Sequence, residues 1–267
     1  MEHLALGLVL VLLAGAVATG SPSHRRDLGA LEDVEMNMAP DSFDDQYRGC
    51  SQAMEEELEQ LNRTEFTSNS VYAAAWAAAS AAWRSRRGRE PPAPTLPPAQ
   101  AVAIMAYTLN SSLFQEFNAA VRSAGGSRTH YLSSFPFKAL HYLLSRALQG
   151  LRDASPRRCR CAYRGVKGIR FRARLGDAVR FGHFTSASLG NKSALSFGRD
   201  TFFTLETCYG VPIKDFSYYP GEDEVLIPPF EVFKVTEAAE KGDAVAIQLR
   251  SQGAFSTYNC ELVKGDG

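Results

Sequence analysis

The sequence predicts an α+β fold, a helical N-terminal region packed on a β-rich C-terminal region. Two observations carry that expectation. Up to about residue 155, apolar side chains recur at helical spacing; beyond it they fall into short alternating or continuous runs separated by Gly, Pro, Asp and Asn. There is also no βαβ alternation and no Gly-x-Gly-x-x-Gly, which argues against a Rossmann nucleotide domain.

Taken in order, residues 4–18 are almost continuously apolar and Ala16-Val17-Ala18 resembles a small-x-small cleavage site. The run is shorter than the roughly 20 residues of a membrane span. Residues 1–20 therefore read as a secretory signal peptide, although Glu2 and His3 stand where a positive charge is usual; a buried N-terminal helix is the alternative. Residues 21–38 are polar, patternless and contain the dibasic Arg25-Arg26. They are read as a pro-segment or disordered stretch outside the fold. Residues 39–267 then form a single domain, with a helical part over 39–155 and a β part over 156–267.

In the helical part, Ser68 and Asn69 can cap a helix that runs through Val71, the alanines, Trp76 and Trp83 and stops at Gly88. Residues 89–98 are proline-rich and read as a linker. Phe114, Phe117 and Val121 mark a second helix ended by Gly125-Gly126. Leu140, Leu144, Ala147 and Leu151 mark a third. In the β part, strands are expected at 162–164, 169–172, 179–181, 202–205, 225–227, 230–235 and 244–247.

Composition narrows the function. Lys plus Arg and Asp plus Glu both number 29, so there is no electrostatic case for nucleic acid or an acidic membrane as partner. The common hydrolase, kinase and zinc-protease signatures are absent. In a secreted chain, four of the cysteines Cys50, Cys159, Cys161, Cys208 and Cys260 are expected in two disulfides, with one left over. No Cys-x2-Cys or paired His supports a metal site instead. Asn62, Asn110 and Asn191 open glycosylation sequons. No hydrophobic tail follows Cys260, so the expectation is a secreted, extracellular protein without a membrane anchor.

Three clusters could carry chemistry. In Tyr163-Arg164-Gly165, a strand arginine could present its fork to a phosphate, or simply lie exposed. Phe184-Thr185-Ser186-Ala187-Ser188 is a hydroxyl-rich turn or strand end that could bind a carboxylate or ribose. Gly221-Glu222-Asp223-Glu224 precedes an apolar strand, and period-2 spacing would put Glu222 and Glu224 on one face of an extended segment. Two carboxylates there could stabilise an oxocarbenium-like sugar, as in glycosidases, or merely form a solvated acidic loop.

Together the three clusters resemble the R-S-E motif of the arginine-specific ecto-ADP-ribosyltransferases of vertebrate cell surfaces and secretions. Asp41-Ser42-Phe43-Asp44-Asp45, Phe135-Pro136-Phe137-Lys138-Ala139-Leu140-His141, Tyr163-Arg164-Gly165-Val166 and Glu224-Val225-Leu226-Ile227-Pro228-Pro229 also look like signatures of that family and occur in its order. The resemblance covers residues 41 to about 262.

The resemblance implies helices covering a β-sandwich that binds NAD as substrate, with no metal. It implies that Arg164 grips the NAD pyrophosphate, that Ser186 orients the catalytic Glu224, and that Glu222 selects an arginine side chain or a small guanidine as acceptor. Asp223 is expected to point to the other face. Tyr107, His183 and Ser217 occupy NAD-contact positions, His183 departing from the Gln frequent among relatives. It pairs Cys50 with Cys260, and Cys208 with Cys159 or Cys161. Distance from Tyr163-Arg164-Gly165 favours Cys159. Two other functions compete with arginine transfer: NAD glycohydrolysis, with water as acceptor, and a catalytically silent NAD-binding or interaction protein.

Overall fold

The computed structural model describes residues 31–86, 95–156 and 158–264. The expected signal peptide and the start of the expected pro-segment lie outside them, as do Gly88 and most of the proline-rich linker. Residues 31–38 correct the expectation that the chain to 38 stays outside the fold. Strand β1 (Glu32–Glu35) pairs in parallel with β3 (Ile169–Arg172), and Arg172 Nη2 meets Asp33 Oδ2 at 3.0 Å.

Six helices come next: α1 (Ser51–Ser68), α2 (Ser70–Arg86), α3 (Pro98–Thr108), α4 (Leu113–Ala124), α5 (Arg128–Ser134) and α6 (Lys138–Ala154). Asn69 caps α2 by accepting from Tyr72 N at 3.0 Å, as its sequence suggests. The buried face of α2 is Tyr72, Ala75, Ala79 and Trp83, with Trp76 at its margin. In α4 the buried face is Leu113, Phe117, Val121 and Ala124, whereas Phe114 turns outward. The α6 stripe of Leu140, Leu144, Ala147 and Leu151 is buried as expected. Its N-terminus is capped from another helix: Glu65 accepts from Lys138 N at 2.6 Å and Ala139 N at 3.1 Å. Burial there pushes the Glu65 carboxyl up to about 7.

The β part contains β2 (Arg160–Val166), β4 (Ala178–Val179), β5 (Thr185–Ser188), β6 (Thr201–Thr207), β7 (Val211–Pro212), β8 (Glu224–Ile227), β9 (Glu231–Lys241) and β10 (Ala244–Ala254), with helix α7 (Asn191–Ser196) between β5 and β6. These eight strands follow one hydrogen-bonded order, β4-β9-β10-β6-β2-β5-β8-β7. The architecture is thus mixed α and β with one large sheet. The join between β2 and β5 is a single register pair, Tyr163↔Ser188. One core, centred on Phe43, Phe117, Tyr131, Leu144 and Phe184, lies between helices and strands. A second, containing Phe203, Val225, Phe233 and Ile247, is formed by strand side chains.

Disulfides join Cys50 to Cys260 and Cys159 to Cys208, while Cys161 is free and exposed. The folded protein should therefore give one thiol per chain with a maleimide before denaturation, lost in Cys161→Ser; no labelling of the native wild type would contradict this pairing. No helix among the described residues is long and apolar enough to cross a membrane.

Candidate active site

The site gathers where the sheet narrows to that single β2–β5 pair. Arg164 comes from β2, Ser186 and Ser188 from β5, and Glu224 from the first position of β8. In the β5–β8 ladder Ser188 lies opposite Glu224 and Ser186 opposite Leu226. The pleat then puts Ser186, Ser188 and Glu224 on one face.

Arg164 is half-buried in β2, and Gly165 follows it. A Cβ at Gly165 would lie 2.3 Å from the Ala194 carbonyl oxygen and 2.4 Å from that of Gly198, so only glycine admits α7 this close to β2. Arg164 Nη1 donates to the Ser186 carbonyl at 2.6 Å, which leaves other guanidinium donors for a ligand. Burial draws the Arg164 pKa down, while Tyr107 and Glu224 oppose that by charge. Arginine stays cationic under such shifts.

Glu224 is buried. The Ser186 hydroxyl hydrogen-bonds its carboxylate, and Ser217 Oγ donates to Oε2 at 3.4 Å. Burial raises the Glu224 pKa and the Glu222 charge adds to it; Ser186, Ser217 and Arg164 pull it down. The two glutamates are thus electrostatic neighbours, but not for the reason their spacing suggests. Glu222 ends a 3-10 turn over Pro220–Glu222, and Asp223 follows with φ 45°. The segment is a left-handed kink rather than an extended strand, and it presents Glu222 half-buried beside the site. Asp223 is drawn away by Lys214, whose Nζ lies 2.8 Å from Oδ1.

Sequence reasoning missed what holds that kink. Ser188 Oγ donates to the Glu222 carbonyl at 2.9 Å and itself accepts from Gly190 N at 3.1 Å. Behind it, Arg86 at the end of α2 donates from Nη1 to the Ser217 carbonyl at 2.6 Å and from Nη2 to that of Tyr218 at 3.2 Å. Such supports were hidden because their partners lie more than 30 or 130 residues away.

The expected NAD contacts differ in burial. Ser217 is wholly buried, and its hydroxyl supports the Glu224 carboxylate. Tyr107 is 4% exposed, its hydroxyl donating to the Phe184 carbonyl at 2.9 Å and accepting from Asn118 Nδ2 at 3.0 Å. It underpins the start of β5, and burial pushes its pKa up to about 12. His183 is half-buried. Its Nδ1 lies 2.8 Å from the same Phe184 carbonyl, which assigns the proton to Nδ1 and leaves Nε2 as an acceptor. Burial pushes the imidazole down to about 3, so it is neutral at working pH.

This constellation has known counterparts. Residues 36–257 match the family model described as NAD:arginine ADP-ribosyltransferase. The chain is 53% identical over 262 residues to the erythroblast NAD(P)(+)–arginine ADP-ribosyltransferase of Gallus gallus, covering 98% of this chain and 86% of the relative. It is 49% identical to the GPI-linked NAD(P)(+)–arginine ADP-ribosyltransferase 1 of Homo sapiens, covering 95% and 81%. The crystal structure of the eukaryotic mono-ADP-ribosyltransferase ART2.2 superposes with a TM-score of 0.73 at 38% identity, covering 85% of this chain and 98% of that one. A point mutant of ART2.2 in complex with NAD superposes equally, with a TM-score of 0.73 at 37% identity and the same coverage. The extent of the match shows that this chain belongs to the NAD:arginine ADP-ribosyltransferase family.

Proposed function

We propose that Glu224, Arg164, Ser186 and Glu222 carry out the reaction of this family in this chain, transfer of one ADP-ribose from NAD to an arginine guanidinium with release of nicotinamide. The observation that carries the assignment is the buried Glu224 carboxylate, hydrogen-bonded by Ser186 and Ser217 beside the Arg164 guanidinium, with a second carboxylate at Glu222.

Arg164 takes the NAD pyrophosphate through charge-assisted hydrogen bonds. Glu224 binds the nicotinamide ribose and offsets the positive charge that grows as the C1′–N bond breaks and nicotinamide leaves with the bonding pair. A fixed charge placed where charge develops is a large catalytic effect. Ser186 fixes the carboxylate, and His183 Nε2 is left as an acceptor facing the nucleotide. Glu222 holds the incoming guanidinium in a bidentate pair, and one arginine nitrogen closes the new bond to C1′ as its proton passes to the Glu222 carboxylate. The kink held by Ser188 sets that position. Two sheet halves closing on the strand core around Phe203 and Val225 support reading the fold as a β-sandwich covered by helices.

The two disulfides fit an oxidising, extracellular compartment. The proposed location is extracellular, after removal of residues 1–20 as a signal peptide.

The test uses labelled NAD and agmatine, with products separated. Wild type should yield ADP-ribosyl-agmatine. Glu222→Gln should lower that product roughly a hundredfold, the order of effect expected from losing a positioning contact, while free ADP-ribose persists. Free ADP-ribose alone from the wild type would replace transfer by glycohydrolysis, and transfer unaffected by Glu222→Gln would remove Glu222 from the acceptor site.

A further inference from the structure

A concavity lies away from Glu224. Its volume is about 290 Å³, and its walls come from the start of the helical region, α6, the turn after β6 and the segment after β8. Pro228 and Phe230 line it, whereas Glu224 opens the other end of β8. Four strand residues put roughly 13 Å between the two places.

Three arginines, Arg48, Arg146 and Arg152, line this cleft against one lining carboxylate, Asp153. None of the three is ion-paired among the described residues; their hydrogen bonds go to neutral acceptors. Arg48 Nη2 donates to Gln46 Oε1 at 2.8 Å, Arg146 Nη1 to Gln149 Oε1 at 2.7 Å, and Arg152 Nε to the Cys208 carbonyl at 3.0 Å. Glu55, a carboxylate outside the lining, accepts from the Tyr142 hydroxyl at 3.3 Å. Arg146 Nε is shut off from water without an acceptor. The Arg152 guanidinium lies over the Tyr209 ring at 3.9 Å, which fixes its plane.

Such a cleft suits an anion. Each guanidinium offers five donors in a fork that fits carboxylate or phosphate oxygens. Three cations around one small volume favour the group with more charge at one centre, since a phosphate monoester carries about −1.5 to −2 and three acceptor oxygens. The volume falls below the ~300–1,000 Å³ of pockets for drug-sized ligands, so the ligand is smaller than a dinucleotide. We propose that this cleft binds inorganic phosphate or a small phosphate monoester, at a site separate from that for NAD.

Arginine modification by phenylglyoxal, mapped by peptide mass spectrometry, tests this residue by residue. Inorganic phosphate and glycerol phosphate are titrated in parallel against chloride at matched ionic strength. Modification of Arg146 and Arg152 should slow roughly tenfold at a ligand concentration about ten times the dissociation constant, with no protection by chloride. Stronger protection by glycerol phosphate would identify an ester as the ligand, and the reverse free phosphate. Arg146→Gln should abolish protection at Arg152 while nicotinamide release stays at the wild-type rate, which also shows that the variant is folded. Equal protection by chloride, protection confined to Arg164, or protection at Arg152 that survives Arg146→Gln would overturn the proposal.

Discussion

Glu224→Gln should lower the turnover of NAD by about 10²–10³-fold, the loss typical of removing one group aimed at charge in a transition state, while NAD still binds. The amide keeps the shape and one acceptor oxygen but supplies no charge as the ribose becomes cationic. Binding should persist because Arg164, anchored on the Ser186 carbonyl, is untouched. Loss of fold is not the expected cause. Burial holds the Glu224 pKa above its ordinary 4.5. The folded state therefore binds this proton more tightly than the unfolded chain, and stability falls as pH rises through the window above 4.5. At neutral pH the carboxylate is a cost to folding, so Glu224→Gln should melt no lower than the wild type. The same shift sets the acid limb of activity: the ionised form is the active one, so kcat/KM should drop as pH falls, with its inflection above 4.5. Unchanged nicotinamide release in Glu224→Gln, or a variant that melts far below the wild type, would defeat this account.

The helical stripes were legible because a 3.6-residue period survives in any sequence that buries one helix face; Leu140, Leu144, Ala147 and Leu151 are the clearest case. Outward-facing Phe114 shows the limit, since periodicity reports spacing but not which neighbour covers it. Strand β1 was invisible because Glu-Asp-Val-Glu has almost nothing apolar, and ion pairs such as Asp33–Arg172 accompany it. Strand β5 read as either a turn or a strand end because Thr-Ser-Ala-Ser is polar and short; its strand character comes from pairing with β8. The motif grouped Arg164, Ser186, Glu222 and Glu224, which the fold places near one another, but it did not give the geometry between the two glutamates. Pro220 opens a 3-10 turn and Asp223 adopts a left-handed φ, a conformation that aspartate accepts more readily than most residues.

Two signatures found beside the motif turn out to be structural. His141 stands in the core, where Nδ1 accepts from the Tyr47 hydroxyl at 2.8 Å and Nε2 lies 3.1 Å from the Phe43 carbonyl. The carbonyl must accept, so the ring carries its proton on Nε2, and burial pushes its pKa down to about 3. Asp45 accepts from Tyr47 N, Cys260 N and Glu261 N. Asp45 thus ties the segment before α1 to residues 260 and 261 near the end of the described chain.

The largest expected stability effect follows from the same stretch. Asp44→Ala should destabilise the fold by roughly 3–5 kcal/mol, the usual cost of stranding a buried charge. Asp44 and Arg180 are both buried, with Oδ2 and Nη1 2.6 Å apart. Arg180 also donates to the carbonyls of Met38, Ala39 and Phe255, and Asp44 accepts from Thr257 N and Tyr258 N. Removing the carboxylate leaves a guanidinium in a dry site and two backbone donors without their acceptor. Against a total of about 5–15 kcal/mol for a folded domain, that is a large fraction, and the denaturant midpoint should fall accordingly. Asp44→Asn should recover part of the loss, because it keeps an acceptor oxygen but not the charge. Arg63→Ala is the contrast: the Glu59–Arg63 pair spans 2.6 Å but is largely exposed, and such pairs contribute about 0–1 kcal/mol. The distance is the same in both pairs; burial, together with the backbone donors that Asp44 serves, separates the two outcomes. Equal midpoints for Asp44→Ala and Arg63→Ala in urea would show that the buried pair adds no more than the surface one.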